Sequence, residues 1–277
     1  EYKEEKIKST KDVQELLGKY PGNRLFQKAL EESDFENIGP TLVKYVYFNR
    51  LFGAGVANLA SKFAQQTDLF RDKEEISVLW SDRSQEVASS IFAAAIDEFG
   101  DRGLPSHPTH RMLAQAVVKG LSSYSGFTLD DMSSDLRYIH TTFDKKVCDG
   151  YAVNSISDER QLFKGLGFHI GSELLADEEF RILDRTLCQK YPSLLQHLED
   201  TFVTISGNSV PAYRWIGIHT TVEIDHFDHA LHAANLALQF YSGKQQKSEV
   251  KQQIVEGVEE FATFQEGFMN YLLKHGT

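Results

Sequence analysis

The stretch EVKQQIVEGVEEFATFQEGFMNYLL, residues 249–273, limits what this chain can fold into more than any other segment. Its apolar residues recur at steps of three and four: Val250, Ile254, Val258, Phe261, Phe264, Phe268 and Leu272. This spacing follows the 3.6-residue turn of an α-helix. The sequence therefore predicts that the region ends in a long helix packed on one face.

The rest of the sequence also favours helices, because it holds only 6 prolines and few alternations of Val and Thr. The predicted helices cover residues 10–18, 24–33, 38–66, 74–99, 108–123, 128–143, 158–190, 193–203, 214–241 and 247–274. Breakers lie between them at GDRGLPSHP (100–108), SGF (125–127) and SGNSVP (206–211). Only TFVTISGNSV, residues 201–210, is strand-like, and it predicts a long loop or a short hairpin. With no internal repeat and no linker, the pattern predicts one all-α domain over residues 1–277.

Composition excludes some classes of partner. The formal net charge of −11 argues against nucleic acids and anionic membranes, since phosphates would meet no basic surface. Two cysteines, Cys148 and Cys188, are too few for a disulfide framework and form no CxxC pair. No apolar run is long enough to span a bilayer, and EYKEEKIKST lacks the apolar stretch of a signal peptide. We expect a soluble, cytoplasmic protein.

The segment HTTVEIDHFDHALHAANLAL, residues 219–238, carries four of the 10 histidines. Each residue of an α-helix turns by about 100°, so Glu223 lies about 40° and His226 about −20° from His219 around the axis. The stripe that these three share also holds small or apolar residues: Trp215, Val222, Ala230, Ala233 and Ala237. The other faces of the same helix take Asp225, Asp228 and His232. The H-x3-E-x2-H triad is therefore predicted to point inward.

Ionisable groups on a buried stripe are costly unless they are paired or bound to a metal. Two imidazoles and a carboxylate favour iron, manganese or zinc. The zinc-peptidase motif HExxH is absent, and Glu223-x-x-His226 lacks the second copy that a ferritin-like di-iron bundle needs. The triad predicts a metal site whose other ligands come from different helices. The alternative is a network of hydrogen-bonded core histidines beside a buried acid.

A second segment, EVASSIFAAAIDEFGD at 86–101, supplies a carboxylate and leads to two histidines. Its apolar stripe ends at Glu98, just before the Gly-rich turn, while Asp97 is predicted to point outward. His110 begins the next apolar face and is the preferred imidazole. His107 is predicted in the loop and is the fallback, because the loop length is not fixed.

A third segment, LGFHIGSELLADEEFRILDRTL at 166–187, places a carboxylate inside an apolar stripe. That carboxylate is Glu173, and its stripe consists of Leu166, Ile170, Ala176, Phe180 and Leu187. Glu178 and Glu179 are predicted to be a solvated pair on the outer face, with Glu178 kept as an alternative to Glu173.

In this order the three segments resemble the heme-oxygenase-like di-iron oxidases and oxygenases, relatives of the thiaminase-II, PQQ-synthesis and Chlamydia death-domain-associated proteins. The resemblance covers about residues 40–240. Its most specific element is His219-x3-Glu223-x2-His226, where the family usually has Asp at the central acid and Glu lengthens the reach. DEFGDRGLPSHPTHRML and GFHIGSE are the two further elements, and the spacing from Glu173 to His219 is longer than the family pattern suggests.

The resemblance implies a fold, a ligand set and an activity. The fold would be a seven-helix up-down bundle over residues 38–277, with an N-terminal helical extension over residues 1–37. The resemblance implies that two Fe(II) ions are bound, the second of them loosely, by Glu98, His110, Glu173, His219, Glu223 and His226. O2 would be the co-substrate, an external electron donor would supply reducing equivalents, and manganese is a further metal that the ligands tolerate. Dimers are common in the superfamily, and the apolar terminal helix would suit a homodimer.

The implied reaction is an oxidation in specialised metabolism. The substrate would be a small molecule, by analogy a free aliphatic amino acid, and the outcome desaturation, C–C cleavage, ring closure or N-oxygenation. Residues proposed to hold a substrate carboxylate are Arg137, Tyr138, Tyr213 and Arg214. The alternative is a metal-free member of the same fold, a thiaminase-like hydrolase or a cofactor-free oxidase, for which neither cysteine looks poised.

Overall fold

The computed structural model describes residues 7, 9–72, 74, 82–154 and 158–276. Eleven α-helices lie within these ranges: α1 Thr10–Leu17, α2 Gly22–Glu32, α3 Ile38–Phe48, α4 Phe52–Ala64, α5 Asp82–Glu98, α6 His110–Ser125, α7 Ser133–Gly150, α8 Glu159–Lys190, α9 Pro192–Asp200, α10 Arg214–Phe240 and α11 Lys247–His275. Two strands, β1 Phe202–Ile205 and β2 Asn208–Pro211, lie between α9 and α10. The prediction of an all-α protein is confirmed at this level.

Local sequence explains where the helices begin and end. The Thr109 hydroxyl accepts a hydrogen bond of 3.2 Å from the Met112 amide at the start of α6. The Asp158 carboxylate does the same for the Gln161 amide at the start of α8. Helix α6 ends at Ser125 and is followed by Gly126, whose φ of 75° is a left-handed conformation that glycine adopts without strain.

Two helix predictions were wrong in their extent. The predicted helix 38–66 is divided by a short 3₁₀ segment, Asn49–Leu51, into α3 and α4. The predicted helix 128–143 begins later, because Thr128 and Asp131 form a turn held by hydrogen bonds of 2.7 and 2.8 Å. It also continues to Gly150. Part of the predicted helix 74–99, residues 75–81, lies outside the described residues.

The strand-like segment forms a short antiparallel hairpin. Ile205 pairs with Asn208, which leaves a two-residue turn of Ser206 and Gly207. Both turn residues have positive φ, 50° and 83°, as the right-handed twist of a two-residue hairpin requires. The hairpin fills the interval between α9 and α10.

Helix α8 lies at the centre of the molecule and packs against α2, α10 and α11. Its contact with α11 is close because Gly167 faces the backbone of Ile254 and Gly257 faces the backbone of Lys164. One continuous apolar core reaches from Ile7 to Leu272, so the first helices also pack on it. No helix within the described residues is long and apolar enough to cross a membrane.

Candidate metal centre

The inward stripe of α10 is the starting point of the centre. His219, Glu223 and His226 are 4, 4 and 5% exposed. The titratable residues predicted on the other faces of this helix are exposed or half-exposed to solvent: Asp225, Asp228 and His232. The helical angles therefore predicted correctly which half of the titratable cluster is buried.

A first group of three donors combines α5, α6 and α10. Glu98, His110 and His219 each offer one ligand atom within 4.8 Å of the others. The Glu98 carboxylate is 2.8 Å from His110 Nδ1 and 3.8 Å from His219 Nε2. Gly53 on α4 leaves room for the Glu98 side chain, since a Cβ there would lie 2.9 Å from its carboxylate.

A second group combines α8 and α10. Glu173, Glu223 and His226 also offer ligand atoms within 4.8 Å of one another. His226 Nδ1 lies 3.6 Å from Glu173 Oε2 and 3.8 Å from Glu223 Oε2. All three side chains are buried.

Glu223 joins the two groups. Its Oε1 is 3.6 Å from His219 Nε2 in the first group, while its Oε2 faces His226 in the second. A carboxylate with one oxygen toward each group has the orientation of a bridging ligand. The two groups are therefore adjacent halves of one centre.

Partners outside the two groups hold the ligating rings in one orientation. His219 Nδ1–H donates to the Trp215 carbonyl at 2.6 Å, and the ring stacks on Phe180 with centroids 4.3 Å apart. His226 Nε2 lies 3.4 Å from the Asp97 carboxylate. In both residues the second nitrogen faces the centre, the usual arrangement behind a metal-bound histidine.

His169 is a further imidazole beside the second group. It is fully buried, and its Nδ1 lies 3.1 Å from Glu173 Oε1. Neither ring nitrogen makes a hydrogen bond of good geometry to the residues that the structure describes. The sequence contained a signal for it, because His169-x3-Glu173 repeats the spacing of His219-x3-Glu223 and so places both groups on one helical face.

Burial and neighbouring charges have opposite effects on the pKa values of these groups. Burial raises the pKa of Glu223 well above its usual range, and the charge of Glu173 adds to this. Burial would raise the pKa of Glu98 as well, but hydrogen bonds from His110 and His219 outweigh it and lower that pKa. Burial alone would lower the pKa of His226, yet Glu173 and Glu223 raise it to about 11. Without metal, protons on these groups neutralise part of the negative charge. A divalent cation would displace those protons and neutralise the charge in their place.

The donor set fits a pair of transition-metal ions. Ligand atoms about 2.0–2.2 Å from an ion lie at most about 4.4 Å apart. The separations of up to 4.8 Å within each group need only small closures to reach this. Mixed imidazole and carboxylate ligands suit iron and manganese, and buried His110 Nε2 has no hydrogen-bond partner among the described residues.

A comparison with models of protein families finds no match for this chain. A comparison with curated proteins likewise finds no similar sequence. What the centre does must therefore be inferred from its donor atoms and surroundings.

The alternative ligands named from the sequence lie away from the centre. His107 is exposed in the loop before α6, with a φ of 44°. Glu178 points to solvent and pairs with Arg185. The expectation that Glu179 is solvated was wrong: it is 3% exposed, and it accepts hydrogen bonds from Tyr45 and Gln265. Asp97, also expected to point outward, contacts His226 because α10 packs across the end of α5.

The four residues suggested for substrate binding do not line the centre. Arg137 and Tyr138 are exposed on α7. The Tyr213 hydroxyl donates to Asp184. Arg214 binds buried Asp101 through two hydrogen bonds of 2.7 and 3.0 Å. That ion pair fixes the turn before His110 to the start of α10, so Arg214 positions the centre instead.

A cavity of about 60 Å³ opens beside the centre. Its walls include five of the six predicted ligands, all but His226, and several aromatic rings, namely Phe48, Phe52, Phe180, Trp215 and Phe261. Two charged residues outside the predicted ligand set also line it, Arg111 and Glu179. Arg111 was not singled out from the sequence, because a single charge on a helix gives no spacing signal, and Glu179 was expected on the solvated face.

Replacing Asp97 with Asn should weaken metal binding without unfolding the protein. The carboxylate holds His226 with Nδ1 toward the centre, and an amide holds it less strongly. Loss of such an outer partner costs about 10–100-fold in metal affinity. Fe(II) titration of Asp97→Asn beside the solvent-exposed control Asp225→Asn measures this. Equal affinity in both variants would mean that Asp97 does not orient His226.

Replacing Glu179 with Gln should remove part of the pH dependence of stability. Burial raises the pKa of Glu179 from 4.5 to about 7, against the opposing hydrogen bonds from Gln265 and Tyr45. The folded state therefore holds a proton that the unfolded state has lost between these pH values. The free energy of unfolding falls as pH rises through this window, by a few kcal/mol at about 1.4 kcal/mol per pH unit.

The measurement is denaturant unfolding at pH 5 and pH 7.5, with chelator present to remove bound metal. The stability lost between the two pH values should be about 2–3 kcal/mol smaller in Glu179→Gln than in the parent. Glu178→Gln, the exposed neighbour, should lose as much as the parent. An unchanged loss in Glu179→Gln would mean that this carboxyl group is ionised throughout.

Proposed function

We propose that this protein is a non-heme di-iron enzyme that uses O2 to oxidise a small substrate. The observation that carries the proposal is the pair of three-donor groups joined by Glu223 and placed beside a cavity. A heme-oxygenase-like up-down bundle agrees with the order of the predicted ligands: Glu98, His110, Glu173, and then the triad of one late helix. Two buried carboxylates, a half-buried third and three buried imidazoles have no purpose in a scaffold, where an apolar core would be more stable.

Bound Fe(II) would supply the activation of O2, and the protein would supply placement. Glu98 and His110 with His219 would hold one ion, and Glu173 with His226 the other. Glu223 would contact both. The Trp215 carbonyl and the Asp97 carboxylate keep a proton on the outer nitrogen of His219 and His226, so that metal would bind at the inner nitrogen.

The cavity walls would set the conditions for the reaction. Phe48, Phe52 and Phe261 give an apolar surface against which a short aliphatic chain can pack. The same rings limit access of water, which protects reactive species from side reactions. We propose a small aliphatic substrate on this basis, with a free amino acid as the first class to test.

The metal-free alternative lacks a nucleophile. Burial raises the pKa of the Cys148 thiol, and the charges of Asp144 and Asp149 raise it further. Slight burial and the charges of Asp184 and Glu199 raise the pKa of Cys188, whose residue is largely exposed on α8 and does not line the cavity. A thiolate is the reactive form, so both shifts work against a thiaminase-like role.

The test is an anaerobic Fe(II) titration followed by Mössbauer spectroscopy and by optical monitoring on exposure to O2. We expect uptake approaching two irons per chain and a transient visible band after O2 is added. Mn(II) titrated in parallel identifies the preferred metal. Failure to bind either metal tightly would contradict the proposal and return the buried groups to an internal hydrogen-bond network.

A further inference from the structure

Arg111 stands out among the residues that line the cavity. It follows His110 on α6, and it is the only Lys or Arg among the described residues of the cavity wall. Its side chain is half-buried. A guanidinium group removed from water in this way normally has an acidic partner.

Within the described ranges, Arg111 has no such partner. No hydrogen bond or ion pair joins it to a residue there, whereas neighbouring Arg50 binds Asp144 and lies over the Tyr47 ring. The positive charge of Arg50 repels that of Arg111, and the negative charge of Glu98, which forms no ion pair with Arg111, attracts it. Because Glu98 belongs to the predicted ligand set, a bound metal ion would neutralise its negative charge and leave the charge of Arg111 unbalanced.

Loading the centre with metal would increase the positive charge that has no acidic partner at the cavity. Ionised Glu98, Glu173 and Glu223 carry three negative charges, and two Fe(II) ions carry four positive ones. The loaded centre would therefore hold one excess positive charge, to which Arg111 adds a second. An anion entering the cavity would meet complementary charge only after the metal is bound.

We infer that Arg111 binds the carboxylate of the substrate. This rests on the proposed function, and it makes the substrate class a small aliphatic carboxylate whose chain packs on the aromatic wall. A guanidinium group offers two parallel N–H donors that match the two oxygens of a carboxylate. Arg111 lines the same cavity as Glu98, His110 and His219, so a carboxylate held there places the rest of the molecule beside the first donor group.

The test uses protein loaded anaerobically with Fe(II), so that binding is measured without turnover. The probes are free straight-chain amino acids from alanine to norleucine, each beside its own carboxamide, which removes only the charge of the carboxylate. Calorimetry gives the dissociation constants for the parent, Arg111→Gln, Arg111→Lys and Arg102→Gln. Arg102 is an exposed arginine of the preceding loop and serves as the control.

We expect at least one amino acid to bind the loaded parent at least about 10-fold more tightly than its carboxamide. Arg111→Gln should weaken the binding of that amino acid by about 10- to 100-fold, because hydrogen bonds to charged groups contribute about 1.5–3 kcal/mol. Arg111→Lys should lie between, since it keeps the charge and loses the paired donors. Arg102→Gln should match the parent, and metal-free protein should bind the acid weakly.

Iron stoichiometry, measured first, separates the two proposals. A parent that takes up no iron overturns the proposed function and, with it, this inference. If iron is loaded but no acid is preferred to its amide, or Arg111→Gln binds the acid as the parent does, only the role of Arg111 is overturned. If Arg111→Gln binds the acid as the parent does, the carboxylate would bind elsewhere, for example directly to the metal.

Discussion

With the proposed di-iron centre, Glu223→Ala should reduce bound Fe(II) from two per chain to one or none. Glu223 Oε1 faces the first group and Oε2 the second, so removing this side chain takes a ligand from both halves of the centre. Loss of an outer partner alone costs about 10–100-fold in affinity, and loss of a direct ligand should exceed about 100-fold for the weaker site. Anaerobic titration and Mössbauer spectroscopy would then show no coupled pair of irons.

Two further variants make this result specific. Glu178→Ala removes the same side chain from an exposed position of α8 and should leave two irons in place. Glu223→Asp keeps the carboxylate on a shorter stem, which matches the acid usual in the resembled family, and should retain more iron than Glu223→Ala. Circular dichroism confirms that each variant is folded. Two tightly bound, coupled irons in Glu223→Ala would contradict the bridging role.

Helical periodicity is the reason that six ligand candidates could be named from the sequence. A group on the apolar stripe of a helix must face the interior, whatever the neighbouring helices are. Glu223 and Glu173 illustrate this, since both lie between apolar residues at helical spacing and both are buried. The structure brings all six candidates together, five of them around one cavity.

Residues off the stripes could not be predicted, because their surroundings depend on how the helices pack. Asp97 and Glu179 follow the pattern of solvated acids within their own helices. Asp97 meets His226 only because α10 lies against α5, and Glu179 is buried only because Tyr45 and Gln265 reach it from α3 and α11. Arg111 belongs to no helical pattern in the sequence, and its position in the cavity wall follows only from the tertiary packing of the helices.

The division of the predicted helix 38–66 was missed for a related reason. No proline or glycine lies at Asn49–Leu51, where the 3₁₀ segment occurs. The Asn49 side chain donates to the Tyr45 carbonyl at 3.0 Å, satisfying a backbone acceptor at the end of α3. A single asparagine within an apolar run gives too little signal for such a break.

Gly257→Ala should destabilise the fold by about 3 kcal/mol, near the upper end of the cost of overpacking. A Cβ at this position of α11 would lie 1.9 Å from the carbonyl oxygen of Lys164 on α8. Because the obstacle is backbone, no side chain can rotate away and the two helices must move apart. Helix α8 carries Glu173, so the displacement should also weaken iron binding in the second group.

The control lies on the same helix. Gly267 is exposed on α11, and a Cβ there would meet nothing within 4 Å. Gly267→Ala should therefore stabilise the protein by about 0.5–1 kcal/mol, because alanine loses less backbone entropy in a helix. Thermal unfolding with chelator present should show the midpoints moving in opposite directions, with Gly257→Ala lower by roughly 5–10 °C. If the two variants moved alike, α8 and α11 would not be held by backbone contact at these glycines, and the position of Glu173 would depend on other contacts.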